Sequence, residues 1–363
     1  METLKHICNQ FQIKAPVLKM DVLTSGHIND TYLISCSNGL NYVLQKINNQ
    51  VFKNVKDIVL NRILVSNHLK KEYAKTGSPY QVASFIPSKN KTFFVETTHG
   101  FWVMMDYIPN SKTIDRAENN KQVFEAGKLF GNFLASTSTL ESSVVIETLP
   151  KFHSVPFRFS QFEQALKQTT NERMSKAKHL IDFVCNLQKD MFLLSELKEK
   201  HIFPTRITHN DTKLSNILFD SEDNGLAVID LDTVMPGIVH FDFGDSIRSI
   251  CSNTVEDSTE LESTSINLGF YDAYCKGFAT DTLKILTPEE IKYLPLAVKT
   301  LIYIMALRFL TDYLNNDVYY KTAYETHNLV RATNQITLLK SVIENYIDIK
   351  RITYSNFNLE NIP

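Results

Sequence analysis

The sequence predicts an α+β fold with two lobes: a small N-terminal antiparallel β-sheet with one helix, then a larger and mainly α-helical C-terminal lobe. Three observations lead to this prediction. The chain has 363 residues, which exceeds one typical hydrophobic core and favours about two domains. Short β-type runs separated by turns fill most of the chain before residue 107, whereas apolar residues recur at helical spacing after residue 108. We therefore expect domains at 1–107 and 108–363.

The elements of the first lobe can be assigned in order from the apolar pattern. An irregular apolar pattern before residue 20 is compatible with a short helix. The predicted strands are residues 32–36, 42–47, 80–85, 92–95 and 101–105, and residues 56–73 form the predicted helix. The last strand runs into Met105-Asp106-Tyr107-Ile108-Pro109, which we take as the connection between the lobes.

The second lobe is assigned in the same way. Gly127 and Gly131 lie four apart on the first of its predicted helices, a spacing that suits close approach of another element. The predicted helices are 123–134, 176–200, 266–278, 288–314 and 323–346, with an aromatic-rich loop at 150–159 and a loop and hairpin at 208–232.

Composition excludes several classes of function. The 38 basic and 40 acidic residues are nearly balanced, so no charge excess predicts a nucleic-acid partner. The five cysteines are scattered and lack C-x-x-C spacing, which favours buried thiols in a reducing compartment. No apolar signal segment opens the chain, and charged residues interrupt the apolar run at 294–314. We expect a cytoplasmic enzyme with no membrane partner, of an oligomeric state that the sequence does not reveal.

A polar loop between two apolar runs carries the strongest chemical signal. His209-Asn210-Asp211 is followed, after four residues, by Asn216, which matches the H-R-D-x-x-x-x-N spacing of kinase catalytic loops. Asp211 is therefore the predicted catalytic base, Asn216 a metal ligand, and Lys213 a cation that offsets charge on the migrating phosphoryl group. The alternative is a polar turn whose side chains bond their own backbone.

A second metal ligand is expected where the next apolar run ends, at Asp230. The later Asp242-Phe243-Gly244 spells the D-F-G that marks the metal aspartate of protein kinases. It follows a Pro236-Gly237 turn and lies thirty-one positions after Asp211, whereas Asp230 lies nineteen after and within a hairpin. We assign the principal Mg²⁺ carboxylate to Asp230 and expect ATP and Mg²⁺ as cofactors.

Nucleotide contacts are expected in the first lobe, where a polar loop and a strand lysine follow the order found in protein kinases. The loop has one glycine where three would let the backbone approach the phosphates, so its side chains would have to supplement the backbone N–H donors. The predicted nucleotide-binding residues are Gly26, His27, Asn29, Thr31, Lys46, Met105 and Tyr107. A plain hairpin turn and an exposed strand lysine are the alternatives.

The partner of Lys46 stays open. In protein kinases a glutamate of the following helix pairs with the strand lysine. Here that helix offers only Asp57 near its start and Glu72 near its end, so we name no carboxylate partner.

Taken together, several stretches resemble the aminoglycoside-phosphotransferase-type kinases, and specifically the N-acetylhexosamine 1-kinases. They are residues 25–32, 104–109, 209–213, 228–237 and 307–314, which span nearly the whole chain. The resemblance implies a bilobal protein-kinase-like fold that moves phosphate from ATP to the anomeric hydroxyl of a hexosamine such as GlcNAc or GalNAc. It also implies that Gly244 and Asp245 brace the catalytic loop.

The same resemblance implies where the sugar is held. An arginine and a tyrosine eleven residues later contact the sugar in that family, and Arg308 and Tyr319 match this arrangement. Asp211 and Asp232 are the acidic residues expected beside the sugar. The loop at 150–159, with His153 and Arg158, is interpreted as a solvated connector, and a border of the sugar site is the alternative. For Arg308, whose burial without a partner would be costly, the alternative is a salt bridge to Asp312 four residues later.

Two other functions fit parts of the pattern. One is a kinase of the same fold acting on choline, homoserine, methylthioribose or an aminoglycoside, although a guanidinium at Arg308 would repel a cationic acceptor. The other is a catalytically silent protein that keeps the kinase shape, which the presence of Asp211, Asn216 and Asp230 argues against. The preference between GlcNAc and GalNAc depends on pocket geometry that no spacing rule reveals.

Overall fold

The computed structural model describes residues 2–23, 29–49 and 52–359. It confirms the predicted fold class, a mixed α+β protein with a five-stranded antiparallel N-terminal sheet and a larger helical C-terminal part. The N-terminal elements are α1 (Glu2–Cys8), β1 (Val17–Leu23), β2 (Asp30–Cys36), β3 (Asn41–Ile47), α2 (Val55–Thr76), β4 (Val95–Thr97) and β5 (Gly100–Asp106). Strands in the sheet follow the order β1-β2-β3-β5-β4.

The two faces of this sheet are covered by different helices. Successive side chains of a strand point to opposite faces. Tyr42 and Leu44 of β3 belong to a buried cluster with Ile7 of α1. Ile47, at the end of the same strand, packs with Val55 and its neighbours on α2. Even-numbered residues of β3 therefore face α1, and odd-numbered residues face α2.

Residues 80–85, predicted as a strand, form only a single bridge between Phe85 and Met105. The segment stays extended because it bonds to two different partners. The amide of Gln81 donates to the carbonyl of Leu226 in the other lobe, and the carbonyl of Ser84 accepts from Asp106. This stretch is a lobe-to-lobe connector rather than a regular sheet strand.

The C-terminal lobe is built around α8, most of whose residues are buried. Its elements are α3 (Asn120–Thr137), α4 (Val155–Gln168), α5 (Asn171–Glu199), β6 (Arg206–Thr208), β7 (Ile217–Phe219), β8 (Gly225–Val228), β9 (Met235–Gly237), α6 (Val239–Ile250), α7 (Leu268–Thr282), α8 (Pro288–Leu314), α9 (His327–Glu344) and α10 (Tyr346–Asn356). α8 is long and apolar enough to cross a membrane, but 83% of its most apolar window is buried inside the protein. It is packed as a core helix.

Helices α3 and α7 pack at backbone distance through glycines, as the spacing of Gly127 and Gly131 predicted. A Cβ added at Gly131 would lie 2.6 Å from the carbonyl oxygen of Phe278 on α7. A Cβ added at Gly277 of α7 would collide with the carbonyl of Phe124 on α3. Only residues without a side chain permit this approach.

Two short strand pairs hold the segment that carries the catalytic motif. β6 pairs with β9, and β7 pairs with β8. Pro236 and Gly237, predicted as a turn, instead lie in β9, where they pair with Ile207 and Arg206. Proline fits this position because β9 is an edge strand of a two-stranded pair.

Candidate active site

The catalytic loop brings its three predicted residues together. The Asn216 amide donates to both the backbone carbonyl and the carboxylate Oδ2 of Asp211, at 2.8 and 2.9 Å. The Lys213 ammonium lies 3.0 Å from the same Oδ2. Asp211 and Lys213 remain partly open, with side chains 28% and 31% exposed. The second carboxylate oxygen of Asp211 is therefore left for an incoming hydroxyl group.

Two carboxylates of α6 bind the backbone amides of this loop. The Asp242 carboxylate accepts hydrogen bonds from the amides of His209 and Asn210, at 2.8 and 2.7 Å. The Asp245 carboxylate accepts from the amide of Thr212 at 3.0 Å and pairs with Arg248. Asp242 of the D-F-G letters thus braces the loop instead of reaching a metal site, and Asp245 braces it as the resemblance implied.

The loop also depends on a residue in an uncommon backbone conformation. Asn210 has φ of 65°, in the left-handed region that Asn tolerates better than most residues. Its side-chain amide donates to the carbonyls of Thr208 and Thr233, at 3.1 and 2.9 Å. These bonds hold the turn that presents Asp211.

Asp230 follows β8 at the position predicted for the metal carboxylate. Its backbone is also left-handed, with φ 60° and ψ 59°, just before a short 3₁₀ turn at residues 231–233. Burial, then the neighbouring Asp232 and Asp211 carboxylates, raise the pKa of Asp230 to about 7. A cation between these carboxylates would favour their ionised forms.

The available donors suit a hard divalent cation. Among the described residues, no group of three or more His, Cys, Asp or Glu side chains is placed to hold a metal unaided. A kinase magnesium site needs few protein oxygens, because phosphate and water oxygens complete the octahedron. Asp230 would offer a carboxylate oxygen, and Asn216, whose amide nitrogen is bonded to Asp211, would offer its Oδ1. These two residues fit a divalent cation bound together with a nucleotide.

The electrostatics of the loop keep Asp211 ionised. Burial alone would raise its pKa, but Lys213 and His209, with the hydrogen bonds from Lys213 and Asn216, lower it below the ordinary value. The pKa of Lys213 is raised, since Asp211 and Asp230 outweigh the effect of its burial. The site thus holds a carboxylate base beside a permanent cation.

A cavity of about 300 Å³ is lined in part by Arg308 and Tyr319. The Arg308 guanidinium lies over the rings of Phe152, Tyr319 and Tyr320, at 5.4, 5.9 and 5.5 Å. His153, next to Phe152, bonds the carbonyl of Asn210 at 3.2 Å. Arg308 is thus linked to the catalytic loop through Phe152 and His153, while the residues that line the cavity come from α4, α8 and the segment after α8.

Within the described residues, Arg308 has no carboxylate at salt-bridge distance, and the alternative pair with Asp312 does not form. Asp312 instead accepts the backbone amides of Tyr319 and Tyr320 and the side chain of Asn328, at 2.9 Å each. Its carboxylate holds the turn that places the two tyrosines at the cavity.

The sequence interpretation favoured a solvated connector for the loop that carries Arg158, with a border of the sugar site as the alternative, and it did not assign Tyr320 to this site. Arg158 falls within the predicted loop 150–159, but α4 begins at Val155, so Arg158 lies on a helix. Its guanidinium lines the same cavity and donates to the carbonyl of Phe152 at 2.9 Å. Burial, then Arg308, lower the pKa of Arg158 to about 10. An arginine within an aromatic-rich segment was the sequence feature that indicated this role. Only the structure shows that α4 carries Arg158 to the cavity.

A family model for the phosphotransferase enzyme family matches residues 20–284, which is more than half of the chain. The chain belongs to the phosphotransferase enzyme family. The matched residues include the catalytic loop and Asp230, and membership of the family makes the chain a phosphotransferase that acts on small molecules.

Solved structures share the fold of this phosphotransferase. An aminoglycoside phosphotransferase from Alicyclobacillus acidocaldarius matches with a TM-score of 0.62 and 11% identity, over 94% of this chain and 96% of that chain. An amicoumacin kinase in complex with AMP-PNP and Ca²⁺ matches at 0.59 and 13%, over 93% and 92%. An ethanolamine kinase from Plasmodium vivax matches at 0.56 and 14%, over 88% and 82%. At these identities the likeness shows the fold.

The predicted nucleotide lysine lies away from the catalytic cluster of this phosphotransferase. Lys46 pairs in register with Trp102, and its ammonium lies 5.9 Å from the centre of that ring. Trp102 belongs to the cluster on the α1 face. Gln45, one residue earlier, faces α2 and accepts a hydrogen bond from Arg62 at 2.9 Å. The structure therefore does not bring Lys46 to Asp211 and Asp230.

Other predicted nucleotide residues have partners inside the protein. Asn29 donates to Asp232 at 2.6 Å and accepts from the amide of Asn48 at 2.9 Å. Thr31 lies opposite Gln45 in the β2–β3 ladder. Gly26 and His27 lie outside the described residues.

At the connection between the lobes, the amide of Tyr107 donates to the carbonyl of Asn41 at 3.2 Å. The Tyr107 amide is therefore already bonded within the N-terminal sheet. The sulfur of Met105 lies 3.4 Å from Arg62. The adenine-contact role of these two residues stays a prediction.

Asp232, predicted beside the sugar, is only 3% exposed. Its Oδ1 lies 2.8 Å from Nη1 of Arg62 on α2. The carboxylate thus points to the N-terminal lobe, and the structure does not place it at the cavity lined by Arg308.

Proposed function

We propose that this phosphotransferase moves the γ-phosphoryl group of ATP to the anomeric hydroxyl of an N-acetylhexosamine, GlcNAc or GalNAc, in a Mg²⁺-dependent reaction. The resemblance to N-acetylhexosamine 1-kinases motivates the reaction. The observation that carries it is the cavity lined by Arg308, Tyr319 and Tyr320. Among the described residues the Arg308 guanidinium has no carboxylate at salt-bridge distance, and it is linked to the loop of Asp211 through Phe152 and His153.

The charge of the cavity favours a neutral acceptor. Several structural relatives are kinases of ethanolamine or aminoglycosides, which carry amino groups. Here Arg158 and Arg308 line one cavity, and Arg308 lies close enough to lower the pKa of Arg158. A protonated amine there would face two guanidinium groups against one carboxylate, Asp312, whose oxygens already accept three hydrogen bonds. A sugar offers hydroxyl and carbonyl oxygens that guanidinium and phenol groups can bind.

The aromatic rings of the cavity also suit a sugar. Phe152 and Tyr319 flank the Arg308 guanidinium, and Tyr319 is 60% exposed. Exposed phenol and phenyl rings offer apolar faces to the C–H groups of a pyranose, while the phenol O–H can bond a hydroxyl.

The proposed chemistry assigns a defined role to each residue. The Asp211 carboxylate accepts the proton of the anomeric hydroxyl as its oxygen bonds to phosphorus and the bond to ADP breaks. An anomeric hydroxyl is more acidic than an ordinary alcohol, so a carboxylate is a sufficient acceptor. Lys213 offsets charge on the transferred group. Mg·ATP, when bound, supplies the phosphoryl group and neutralises the leaving phosphate, with Asn216 and Asp230 as protein ligands.

A screen of acceptors tests the proposal. ADP release is measured for N-acetylhexosamines, other hexoses, ethanolamine, choline and an aminoglycoside, and the position of the product phosphate is read by ³¹P NMR. We expect turnover of an N-acetylhexosamine with phosphate at C1. Turnover confined to the amines, or phosphate at another carbon, would contradict the proposal.

A further inference from the structure

A buried guanidinium joins the two lobes beside the metal carboxylate. Arg62 of α2 is 2% exposed. Its Nη1 lies 2.8 Å from Oδ1 of Asp232, and its Nη2 donates to Gln45 at 2.9 Å. The ring of Phe85 lies 5.0 Å from the guanidinium carbon. Since burying a charge without a partner is costly, Asp232 is what permits Arg62 to lie there.

Asp232, the acidic partner of this pair, lies in the turn at residues 230–233, which carries the proposed metal ligand Asp230 and is called the metal turn below. Asp232 lies two residues after Asp230, inside the 3₁₀ turn at residues 231–233. Asn29, before β2, donates to the other oxygen of Asp232 at 2.6 Å. Asn61, next to Arg62 on α2, donates to the carbonyl of Val234 at 3.1 Å. Three residues of the N-terminal lobe, Asn29, Asn61 and Arg62, thus bind the metal turn at Asp232 and the adjacent Val234.

The opposite side of the turn is held by the catalytic loop. The Thr233 hydroxyl donates to the carbonyl of His209 at 2.6 Å, and the carbonyl of Thr233 accepts from Asn210. Between these two anchors lies Asp230 in a left-handed conformation, which costs free energy in a residue with a side chain and persists only where surrounding contacts enforce it. Arg62 supplies the charged contact on one side of this strained residue.

In protein kinases the cation of the N-terminal lobe is a strand lysine paired with a glutamate on the following helix. Here the strand residue facing α2 is the neutral Gln45, and Lys46 points to the other face. We propose that Arg62 is a positioning residue for the metal site: through Asp232 it holds the Asp230 turn in the geometry that binds the metal–nucleotide complex. The cation then lies on the helix and the carboxylate on the metal turn, so the pair spans the lobes.

The competing explanation is a buried ion pair that only stabilises the fold. The two explanations differ in what a double variant does. Removing one partner leaves a buried charge and destabilises the protein, whereas replacing both with apolar residues of similar size can restore stability. A stabilising role predicts that nucleotide affinity recovers with stability. A positioning role predicts that it does not.

The test measures Mg·ATP binding by calorimetry and thermal unfolding in the absence of any acceptor. Its result is therefore independent of which acceptor the proposed function names. The variants are Arg62→Met, Arg62→Lys, Arg62→Met with Asp232→Leu, and Asp230→Ala as the variant that removes the metal ligand itself. Arg206→Met is the matched control, because Arg206 and Glu290 form another buried ion pair in the C-terminal lobe, away from α2.

We expect Arg62→Met to weaken Mg·ATP binding about tenfold or more, the effect typical of residues that orient a metal ligand. Arg62→Lys should recover part of that loss. The double variant should regain thermal stability while its affinity stays low, and Arg206→Met should lose stability with affinity within about twofold of the unmodified protein. Recovery of affinity in the double variant, or an equal loss in Arg206→Met, would overturn the proposal.

Discussion

At the scale of single residues, the proposed base Asp211 is positioned first by neighbours that lie within five residues of it in the chain. Asn216 and Lys213 both bind Oδ2 of Asp211. Asp242 and Asp245 then fix the amides around it. Residue spacing was enough to predict that Asp211, Lys213 and Asn216 share one loop, but not that the last two bind the carboxylate of the first.

Replacing Asp211 tests its role as the base. We expect Asp211→Asn to lower kcat by about 10²-fold or more, the usual contribution of a positioned general base, because an amide cannot accept the hydroxyl proton. Thermal unfolding and Mg·ATP affinity should change little, since an amide keeps the size of the carboxylate. Steady-state ADP release measures kcat, and near-normal turnover by purified Asp211→Asn would refute the role.

Arg308 is the residue on which the proposed acceptor depends. Removing its charge in Arg308→Gln should raise the KM for the acceptor about 10- to 100-fold, the loss expected for hydrogen bonds to a charged group. The KM for ATP should stay close to its original value, because none of the proposed metal or nucleotide ligands lines the cavity.

Arg351→Gln provides the comparison for Arg308→Gln, since Arg351 forms an exposed pair with Asp348 on α10. It should leave both KM values unchanged. An Arg308→Gln enzyme with an unchanged acceptor KM would remove Arg308 from the binding site.

Residues that act across long chain separations were not predictable from spacing. Arg62 meets Asp232 through the cleft between the lobes, and Asp232 was predicted to contact the sugar. The face of the sheet on which Lys46 lies could not be predicted either. Tyr42, Val43 and Leu44 are all apolar, so the sequence shows no alternation of apolar and polar residues that would distinguish the two faces. The structure was required to show that Gln45, not Lys46, faces α2.

At the scale of elements, long periodic helices were predicted best. The helix predicted at 288–314 is α8 with the same bounds, and its start carries a capping box between Thr287 and Glu290. The predicted strand at 80–85 failed because its backbone bonds go to two lobes, which no local pattern encodes. The helix predicted at 323–346 divides instead into α9 and α10, which meet at Asn345.

The contact between α3 and α7 makes a prediction at this scale. Ala is normally favoured over Gly within a helix by about 1 kcal/mol. At Gly131 the added methyl would lie 2.6 Å from the carbonyl of Phe278, so Gly131→Ala should instead destabilise the protein by about 1–3 kcal/mol. Urea unfolding gives the free energy of unfolding.

A second glycine in the same pair of helices serves as the control. At Gly269 of α7 the nearest atom to an added methyl is Oδ1 of Asn267 at 3.3 Å, which caps the start of α7 by accepting from the amide of Phe270. Gly269→Ala requires a shift of only a few tenths of an ångström in one side chain, so it should cost clearly less than Gly131→Ala. If Gly131→Ala behaved in the same way, the packing of α3 on α7 would be looser than the structure shows.

At the scale of the whole molecule, the lobes meet where the chemistry is placed. Asn29 and Arg62 of the first lobe bind Asp232 of the second, and Gln81 bonds Leu226. The boundary at residue 107 or 108 stays a prediction. Composition and periodicity predicted two lobes, but which side chains cross the cleft depends on their packing in three dimensions.

Stability of the whole molecule should depend on pH through a histidine in the core of the second lobe. His240 is fully buried, its Nε2 lies 3.0 Å from the carbonyl of Glu290, and its ring packs on Phe203. Burial, then Arg206, lower the pKa of His240 to about 3, although the bond to Glu290 acts in the opposite direction. The unfolded chain has a pKa near 6.5 for histidine.

Because the unfolded state binds this proton more readily, the contribution of His240 is fully present above pH 6.5 and is lost as the pH falls toward 3. The slope is about 1.4 kcal/mol per pH unit for one group. Asp230 and Asp242, with pKa values raised to about 7 and about 6, act with the opposite sign in this range. The total stability curve therefore does not isolate His240, but the difference between two proteins does.

We expect the free energy of unfolding of the unmodified protein, minus that of His240→Gln, to fall by about 2 kcal/mol between pH 6.5 and pH 5. His179→Gln, at an exposed position on α5 outside the core, is the matched control. Urea unfolding at several pH values measures both differences. A difference for His240→Gln that does not change with pH would contradict this prediction. It would mean that His240 is protonated in the folded protein as readily as in the unfolded chain, so that the core around Phe203 and Glu290 accommodates a charged imidazole.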